Sequence, residues 1–343
     1  MANFITAQKR LCNFALLAAK MVHIRQLFIA LCLVVSAPSF AEDDELDMGL
    51  IFTAKGAVFD EVVLGITGDL EEDLNFKTVT LSRKSTVKEI EKHIKSVKPK
   101  IVVLVENNAV GLYQKYQKAN PKAEFPPSIA LAALFVDRYV GKLKNATAIR
   151  YEIPAVTSIV NMRAILKNDV KKVGVVHREW MKPIIEQNAK YCRAEGIELV
   201  SISLPNKDGK LDKKLKSGLD NLRKKDVDAI WVLNDNALLN GKMLKNAWFP
   251  VMKKSKLPVI VGVDLFLKSD WNFGSFAIVP DHYSLGVQAA SIIGEIMEED
   301  WEIGDRDVEQ PVSVKKIVNT TVLENKKIQF KQDKLSAMDE VVR

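Results

Sequence analysis

From residue 42 onward, short apolar runs alternate with longer segments in which apolar positions recur every three or four residues. Short apolar runs between polar turns predict strands, and the three-to-four spacing predicts helices that bury one face. The strands of the first half are predicted at 48–53, 76–81, 101–105, 128–134 and 146–152. Those of the second half are predicted at 173–176, 197–202, 229–233, 259–263 and 275–279. The clearest helices between them are predicted at 182–194, 210–224 and 282–298.

This alternation of strands with helical stretches predicts the fold class. Neighbouring parallel strands need a crossover connection of a dozen or more residues, and a helix supplies it. The segment 101–105 reads Ile-Val-Val-Leu-Val, which is typical of a strand covered by helices on both faces. We therefore predict an α/β protein with two doubly wound parallel-sheet lobes joined by a hinge, with the first junction near Pro154.

Residues 1–41 have the organisation of a secretory signal peptide. They contain no Asp or Glu, and a basic start is followed by an apolar run at 27–35 and by Ser39-Phe40-Ala41. The run is shorter than the roughly 20 residues that a membrane span needs. We expect Met21 to be the true start and cleavage to follow Ala41. The acidic segment 42–45 argues against the rival interpretation, an uncleaved membrane anchor, and Cys32 lies in mid-run, where a lipid anchor does not form. The sequence thus predicts a soluble periplasmic protein.

Loss of this signal changes the charge of the chain. The formal net charge of the full chain is +7, and four basic residues but no acidic ones leave with the signal, so about +3 remains. A net positive charge this small does not indicate DNA or RNA binding, and we predict no nucleic-acid partner. Cys192 is the one cysteine left, so the mature chain has no internal disulfide. We interpret it as a structural thiol.

Catalytic and metal-binding motifs are absent from the sequence. It contains no Cys-x-x-Cys, His-Glu-x-x-His, Gly-x-Ser-x-Gly, Walker or Gly-x-Gly-x-x-Gly pattern. His93, His177 and His282 share no metal-ligand spacing. We therefore predict no metal, no cofactor and no enzymatic activity.

Polar and aromatic side chains follow the predicted strands in both halves. In open parallel sheets, ligands bind beyond the carboxyl ends of the strands, where helix starts offer free N–H groups. Two facing lobes would bring these ends into one cleft, a favoured place for a ligand. Helix capping explains any single one of these residues equally well, so the prediction depends on their recurrence in both halves. They are Thr53, Lys55, Asn107, Asn108, His177, Trp180, Asp235, Asn236 and Asp264.

Three segments of the second half resemble a known family. The segments 227–236 (Val-Asp-Ala-Ile-Trp-Val-Leu-Asn-Asp-Asn) and 274–286 are similar to core segments of ABC transporter substrate-binding proteins of the uncharacterised and aromatic-amino-acid type. The segment 171–176 resembles the strand that opens their second lobe. The resemblance implies a type I periplasmic binding fold and adds Asp281 and Tyr283 to the candidate ligand-binding residues. The loops at 106–108 and 177–180 are bulkier and more charged than the family pattern.

The resemblance also implies how the chain divides. Three crossings join the lobes, near Pro154, near Asp281 and near Gln310-Pro311. The N-terminal lobe then consists of 42–154 with 282–311, and the C-terminal lobe of 155–281 with 312–330. From their polar composition, we expect residues 331–343 to form a tail that frays.

The leading hypothesis is a monomeric periplasmic solute-binding protein. It captures a small molecule, an amino acid or a related compound, in the interlobe cleft and delivers it to an ABC permease in the inner membrane. A second hypothesis is a ligand-sensing or regulatory module that acts on a membrane sensor or an envelope protein. A third is an exported α/β enzyme, in which Asp235 with Asp264 or His177 supplies an acid and a base.

Overall fold

The computed structural model describes residues 46–268 and 271–343. The predicted signal peptide, its cleavage after Ala41 and the proposed start at Met21 lie outside these residues. Within the described ranges the chain builds two sheets, each with its own covering helices, and we call these the first and the second lobe. The α/β fold class with two lobes is confirmed.

The first lobe contains a five-stranded parallel sheet in the order β2-β1-β3-β4-β5. Its strands are β1 (Met48–Ala54), β2 (Asn75–Leu81), β3 (Ile101–Val105), β4 (Ser128–Leu131) and β5 (Ala146–Ala148). The helices that follow the first four strands are α1 (Ala57–Asp69), α2 (Val87–Val97), α3 (Asn107–Ala119) and the single turn α4 (Asp137–Val140). The central strand β3 is buried at every position because helices cover both faces of the sheet.

The second lobe contains a seven-stranded sheet in the order β12-β11-β10-β9-β8-β6-β7. Its strands are β6 (Lys172–Arg178), β7 (Glu198–Leu204), β8 (Ala229–Trp231), β9 (Val259–Val261), β10 (Phe276–Pro280), β11 (Val314–Asn319) and β12 (Glu340–Val342). Its longer helices are α5 (Ala155–Ile165), α6 (Lys182–Ala194) and α7 (Leu211–Lys224). Shorter helical elements are α8 (Gly241–Met243), a π-helical turn (Leu244–Trp248) and α9 (Phe249–Met252). All pairings are parallel except β10 with β11.

The chain passes between the lobes three times. It leaves the first sheet after β5 and enters α5, which packs into the core of the second lobe. It returns at Asp281, where β10 leads directly into α10 (His282–Glu298), a helix of the first lobe. The third passage lies between Glu309, which pairs with Ile149 beside the first sheet, and the start of β11. The last two helical segments, α11 (Thr320–Asn325) and a 3₁₀ turn (Gln332–Ala337), belong to the second lobe.

Helices α1 and α10 approach each other closely through two glycines. A side chain added at Gly65 would overlap the carbonyl of Tyr283, and one added at Gly286 would overlap the carbonyl of Val62. Only glycine lets the two backbones come this near. The contact ties α10 to the first lobe immediately after the second crossing.

Four strands end two to four residues before their predicted ends, and one sheet edge was not predicted; the strands predicted at 229–233 and 259–263 end at Trp231 and Val261. The strand predicted at 128–134 ends at Leu131, because Ala132 and Phe135 adopt left-handed φ angles of 50° and 55° that leave the sheet. The strand predicted at 146–152 ends at Ala148, and Arg150 instead donates its backbone N–H to Glu309. The sequence did not predict β11 or β12. Residues 340–342 pair with β11, so the end of the predicted tail forms the edge of the second sheet.

Candidate functional site

A cavity of about 410 Å³ lies between the lobes, beside the first and third crossings. The first lobe contributes charged side chains to its wall, and the second lobe contributes apolar and amide side chains. The lining residues of the first lobe and of the crossings are Phe135, Asp137, Arg138, Arg150, Glu152, Ile153, Pro154 and Gln310. Those of the second lobe are Ile184, Gln187, Asn188, Tyr191, Trp231 and Leu233. Its volume and its mixed lining suit a small organic ligand.

Glu152 is the acidic group at the inner wall of this cavity. Its Oε1 accepts a hydrogen bond from the backbone N–H of Phe135 at 2.9 Å, which helps to hold Phe135 in its left-handed conformation. Burial raises the pKa of the Glu152 carboxyl to about 7; the Phe135 hydrogen bond opposes the increase and the charge of Asp137 adds to it. Arg150 is directed to Asp137 instead, with Nη2 at 2.6 Å from Oδ1.

A second cavity of about 30 Å³ continues from the first toward the sheet of the second lobe. Glu152, Ile153, Trp231 and Leu233 line both cavities, and Asn234 lines the small one. Asn234 is 8% exposed, and its Nδ2 donates to the carbonyl of Gly262 at 3.1 Å. Among the described residues, its Oδ1 has no hydrogen-bond partner.

Gly262 makes this position of Asn234 possible. A Cβ atom at residue 262 would lie 2.6 Å from Nδ2 and 2.7 Å from Oδ1 of the Asn234 side chain. The amide can therefore lie flat against the end of β9 only because residue 262 has no side chain.

Arg178 neutralises Asp235 at the carboxyl ends of β6 and β8. Nε and Nη2 of Arg178 donate to the two carboxylate oxygens at 2.6 and 2.7 Å, and Nη1 donates to the carbonyl of Asn206 at 3.0 Å. Oδ1 of Asp235 also accepts the backbone N–H of Ala237. The protein thus supplies the partners of a carboxylate that the sequence assigned to a ligand.

Trp180 connects the two lobes. Its ring meets Phe135 edge to face with centroids 5.1 Å apart, and the Arg138 guanidinium lies 3.9 Å above the ring centroid. Arg178 of its own lobe lies 5.6 Å from the same ring. Phe135 and Arg138 line the large cavity, so Trp180 supports the cavity wall from outside.

Polar groups also link the crossings to one another. The Tyr151 hydroxyl, near the first crossing, lies 3.0 Å from Nε2 of His282, just after the second crossing. Asp281 caps α10 by accepting the backbone N–H of Ser284, and it pairs with Lys315 of β11 at 3.1 Å. Burial lowers the pKa of His282. Burial tends to raise the pKa of Asp281, but the Ser284 hydrogen bond and Lys315 together hold it below its usual value.

The predicted residues of the first lobe have mainly structural contacts. Asn107 clamps the loop after β4 by bonding both the backbone N–H and the carbonyl of Leu134, and Asn108 donates to the carbonyl of Ser82. Thr53 is buried near the end of strand β1, and Lys55 is exposed beyond it.

The remaining predicted residues of the second lobe and of α10 are dispersed. His177 is buried and bonds the carbonyl of Arg178, and Asp264 pairs with Lys268 at 3.2 Å. Asn236 is exposed. Tyr283 is 46% exposed and lines a separate open groove of about 610 Å³ along α10. None of the eleven predicted residues lines the large cavity.

The sequence contained a signal for the residues that do line it. Glu152 is a single acidic residue directly before Ile153-Pro154, where the first crossing was expected, and a crossing is a wall of any interlobe cavity. On α6, Ile184, Asn188 and Tyr191 recur at ordinary helical spacing. The sequence pattern therefore does not distinguish these cavity-lining residues from residues that pack in a core.

No helix in the described ranges is long and apolar enough to cross a membrane. The described residues also contain no group of three or more His, Cys, Asp or Glu side chains arranged to hold a metal ion.

Comparisons with known proteins identify one matching family and several solved structures with a similar fold. Residues 130–342 match the family model described as ABC transporter substrate binding protein. A conserved domain protein from Vibrio cholerae is 18% identical, with a TM-score of 0.59, and the match covers 87% of this chain and all of that one. The ABC domain from Streptococcus pneumonia in complex with L-Trp is 18% identical, with a TM-score of 0.54, covering 86% of this chain and all of that one. A ligand-free, open substrate binding protein with adhesive properties from Clostridium difficile is 14% identical, with a TM-score of 0.65, covering 87% and 99%. No curated protein matches the chain.

Proposed function

This chain belongs to the family of ABC transporter substrate binding proteins, and on that premise we propose that it captures one small molecule in the 410 Å³ interlobe cavity for an ABC permease. The family is a substrate-binding, non-catalytic class with the type I periplasmic binding fold. The observation that supports this place for the ligand is the cavity itself, because both lobes and two crossings line it. A molecule bound there touches both lobes, which in two-lobed binding proteins close around the ligand by hinge motion.

We further propose where the protein acts and in what form. The protein is exported by the signal at 1–41, is released in the periplasm after cleavage at Ala41, and works there as a monomer. Its ligand is an amino acid or a related compound. One structural neighbour carries L-Trp, which makes amino acids the first compounds to test.

A thermal-shift screen with a cavity-filling variant tests the capture step. Amino acids, nucleosides and small carboxylates are added to the purified protein, and a ligand of the folded state must raise its Tm. Ile184→Trp places an indole ring inside the cavity and should abolish the shift while the variant remains folded. Glu186→Trp on an exposed position of the same helix is the matched control and should keep the shift. A ligand that stabilises both variants equally binds elsewhere.

Delivery to a permease is tested separately. The ligand-loaded protein, added to membrane vesicles that contain its cognate permease and ATPase, should stimulate ATP hydrolysis. Co-purification with a sensor protein in place of a permease would favour the regulatory alternative.

A further inference from the structure

The second lobe concentrates the positive charge of the chain in one segment. Residues 207–256 contain 13 Lys and Arg against six Asp and no Glu, an excess of seven, whereas the whole chain after residue 41 has a net charge of only about +3. The rest of that chain is therefore net negative. Within the segment, residues 236–263 contain five lysines and no acidic residue. All five are exposed: Lys242, Lys245, Lys253, Lys254 and Lys256.

Helix α7 and the helical segment from α8 to α9 lie side by side on one face of the second sheet. Leu219 of α7 and Trp248 pack in the same apolar core, and the Asp212 carboxylate accepts a hydrogen bond from the Asn246 amide at 3.1 Å. The basic residues of α7 are exposed outside its apolar stripe; they are Lys213, Lys214, Lys216, Arg223 and Lys224. We call the exposed Lys and Arg side chains of 207–225 and 242–256 together the basic face.

The turn at 253–256 is held in a shape that exposes its lysines. Lys326, from the end of α11, donates to the carbonyls of Met252 and Ser255 at 3.1 and 3.2 Å. The Ser255 side chain is buried and accepts the backbone N–H of Leu257, while the three lysines around it are exposed. Among the described residues, no ion pair involves Lys245 or a lysine of this turn. Their charges are therefore available to a partner.

Apolar side chains border the basic face. Lys245, Phe249 and Lys253 recur every four residues along the helical segment and so share one side of it. Phe249 is half-buried, and the half-buried Trp271 packs against it with ring centroids 6.5 Å apart. Leu265, next to the residue that packs on the other side of Trp271, is 46% exposed. Lysines beside exposed aromatic and aliphatic groups are typical of surfaces that lie in a membrane interface.

The size and chemistry of the basic face favour an extended anionic partner. Helix α7 alone has 14 residues and is about 21 Å long, so its charges are too far apart to converge on one small anion. Twelve of the 13 basic residues are lysines. The lysine ammonium is a hydrated point charge without the fork that pairs arginine with a single carboxylate or phosphate, so it suits a diffuse negative surface.

We propose that the basic face binds the protein reversibly to a membrane surface that contains anionic phospholipids, with Phe249, Leu265 and Trp271 entering the headgroup layer. This surface is separate from the ligand cavity. The cavity is lined by Trp231 and by α6, which pack in the core on the other face of the second sheet. Membrane binding and ligand capture can therefore occur together, and the bound protein searches for its partner along a surface instead of in a volume.

Sedimentation with lipid vesicles tests the charge requirement. The protein should bind vesicles of phosphatidylethanolamine and phosphatidylglycerol but not vesicles of phosphatidylcholine, and raising the salt from about 0.05 to 0.5 M should weaken binding at least about tenfold. One lysine near an anionic surface contributes about fivefold to binding. A quadruple variant should therefore bind at least about tenfold more weakly; its changes are Lys245→Gln, Lys253→Gln, Lys254→Gln and Lys256→Gln.

A matched variant of the first lobe removes the same charge from exposed lysines elsewhere and should bind vesicles like the parent; its changes are Lys77→Gln, Lys92→Gln, Lys118→Gln and Lys122→Gln. Thermal unfolding verifies that both quadruple variants are folded, and the ligand-induced Tm shift should be the same in both. Equal loss of vesicle binding in the two variants, or no loss in either, overturns the basic face as the binding surface and leaves the capture function intact.

Fluorescence provides a second readout, which reports on the apolar border. The difference spectrum between the parent and Trp271→Leu isolates the emission of Trp271. That emission should shift to shorter wavelength on phosphatidylglycerol vesicles and be quenched by brominated lipid, because the ring enters the headgroup layer. An unchanged emission overturns the insertion of Trp271. Tighter binding to poly-glutamate than to the vesicles, at equal concentration of negative charge, would show that the basic face serves an acidic protein and would overturn the membrane proposal.

Discussion

The Arg178–Asp235 pair shows how one residue changes the chemistry of a cleft. Asp235 is only 3% exposed and Arg178 is 19% exposed, so removing either partner leaves a largely buried charge without compensation. We expect Asp235→Ala to lower the free energy of unfolding by about 2–4 kcal/mol, somewhat less than for a fully buried pair. Adding Arg178→Met should restore most of the loss because it removes the stranded guanidinium. Urea unfolding measures both, and Asp264→Ala, which breaks a partly exposed pair, should cost less than about 1 kcal/mol.

A loss of less than about 1 kcal/mol in Asp235→Ala would mean that the pair opens in solution. Asp235 would then be available to a ligand, as the sequence suggested.

Ionisation of the buried Glu152 carboxyl should make the protein less stable as the pH rises. Its folded-state pKa, about 7, lies above the ordinary value of 4.5, so between these values the folded protein binds more protons than the unfolded chain. Its contribution to stability is therefore present below pH 4.5 and is lost as the pH rises to 7. Glu152→Gln should be more stable than the parent at pH 8 by about 1–3 kcal/mol and similar to it at pH 4.

The measurement is the difference in urea unfolding free energy between Glu152→Gln and the parent at a series of pH values. Other carboxyl groups cancel in that difference. Equal stability at pH 4 and at pH 8 would show that the Glu152 carboxyl is well solvated.

The cavity lies in the interlobe region to which the strand ends pointed, but its lining residues are not the eleven predicted ligand-binding residues, whose role stays a prediction. Polar residues at strand ends did point to the interlobe region, yet side chains such as Asn107 and Asp235 turned out to be bonded to their own protein. A sequence pattern places a residue at the end of a strand. It does not show whether a neighbour from a distant segment, such as Arg178 for Asp235, has already satisfied it.

At the scale of elements, the α1–α10 contact is the most sensitive to a single methyl group. A Cβ atom at Gly286 would overlap the Val62 carbonyl, whereas nothing lies within 4 Å of a Cβ atom at Gly294 of the same helix. Gly286→Ala should therefore destabilise the protein by about 1–3 kcal/mol through overpacking. Gly294→Ala should be neutral or stabilising by up to about 1 kcal/mol, because alanine favours the helix. Thermal unfolding of both variants tests this. If both substitutions change the stability equally, the two helices can move apart at Gly286 without destabilising the protein.

The fold was more predictable than the site because its signals are repeated along the chain. Helices α6 and α10 have the bounds predicted for them, because apolar residues recur at helical spacing along each. The strand predicted from 128 was three residues too long because left-handed residues end it, and no pattern marks Ala132 or Phe135 for that conformation. β11 was missed because two lysines interrupt its apolar positions.

At the scale of the whole molecule, Trp180 joins the lobes by packing against Phe135 and Arg138. Its stacking with Arg138 and its edge contact with Phe135 are each worth about 0.5–2 kcal/mol. Trp180→Ala should therefore shift the population toward open molecules by roughly tenfold or more and lower ligand affinity. Small-angle X-ray scattering should show a larger radius of gyration.

Trp301→Ala is the control for this experiment, because Trp301 packs within the first lobe only. Its radius of gyration should equal that of the parent. If Trp180→Ala also leaves the radius unchanged, the crossings alone set the angle between the lobes.

The three crossings also determine when the protein can fold. The core of the first lobe is incomplete until α10 has been made, because α10 packs on α1 from more than 200 positions later in the chain. The second sheet lacks its edge until β12, at the last residues, is present. Such long-range contacts make folding slow. The complete core of the first lobe can therefore form only after α10 has been synthesised.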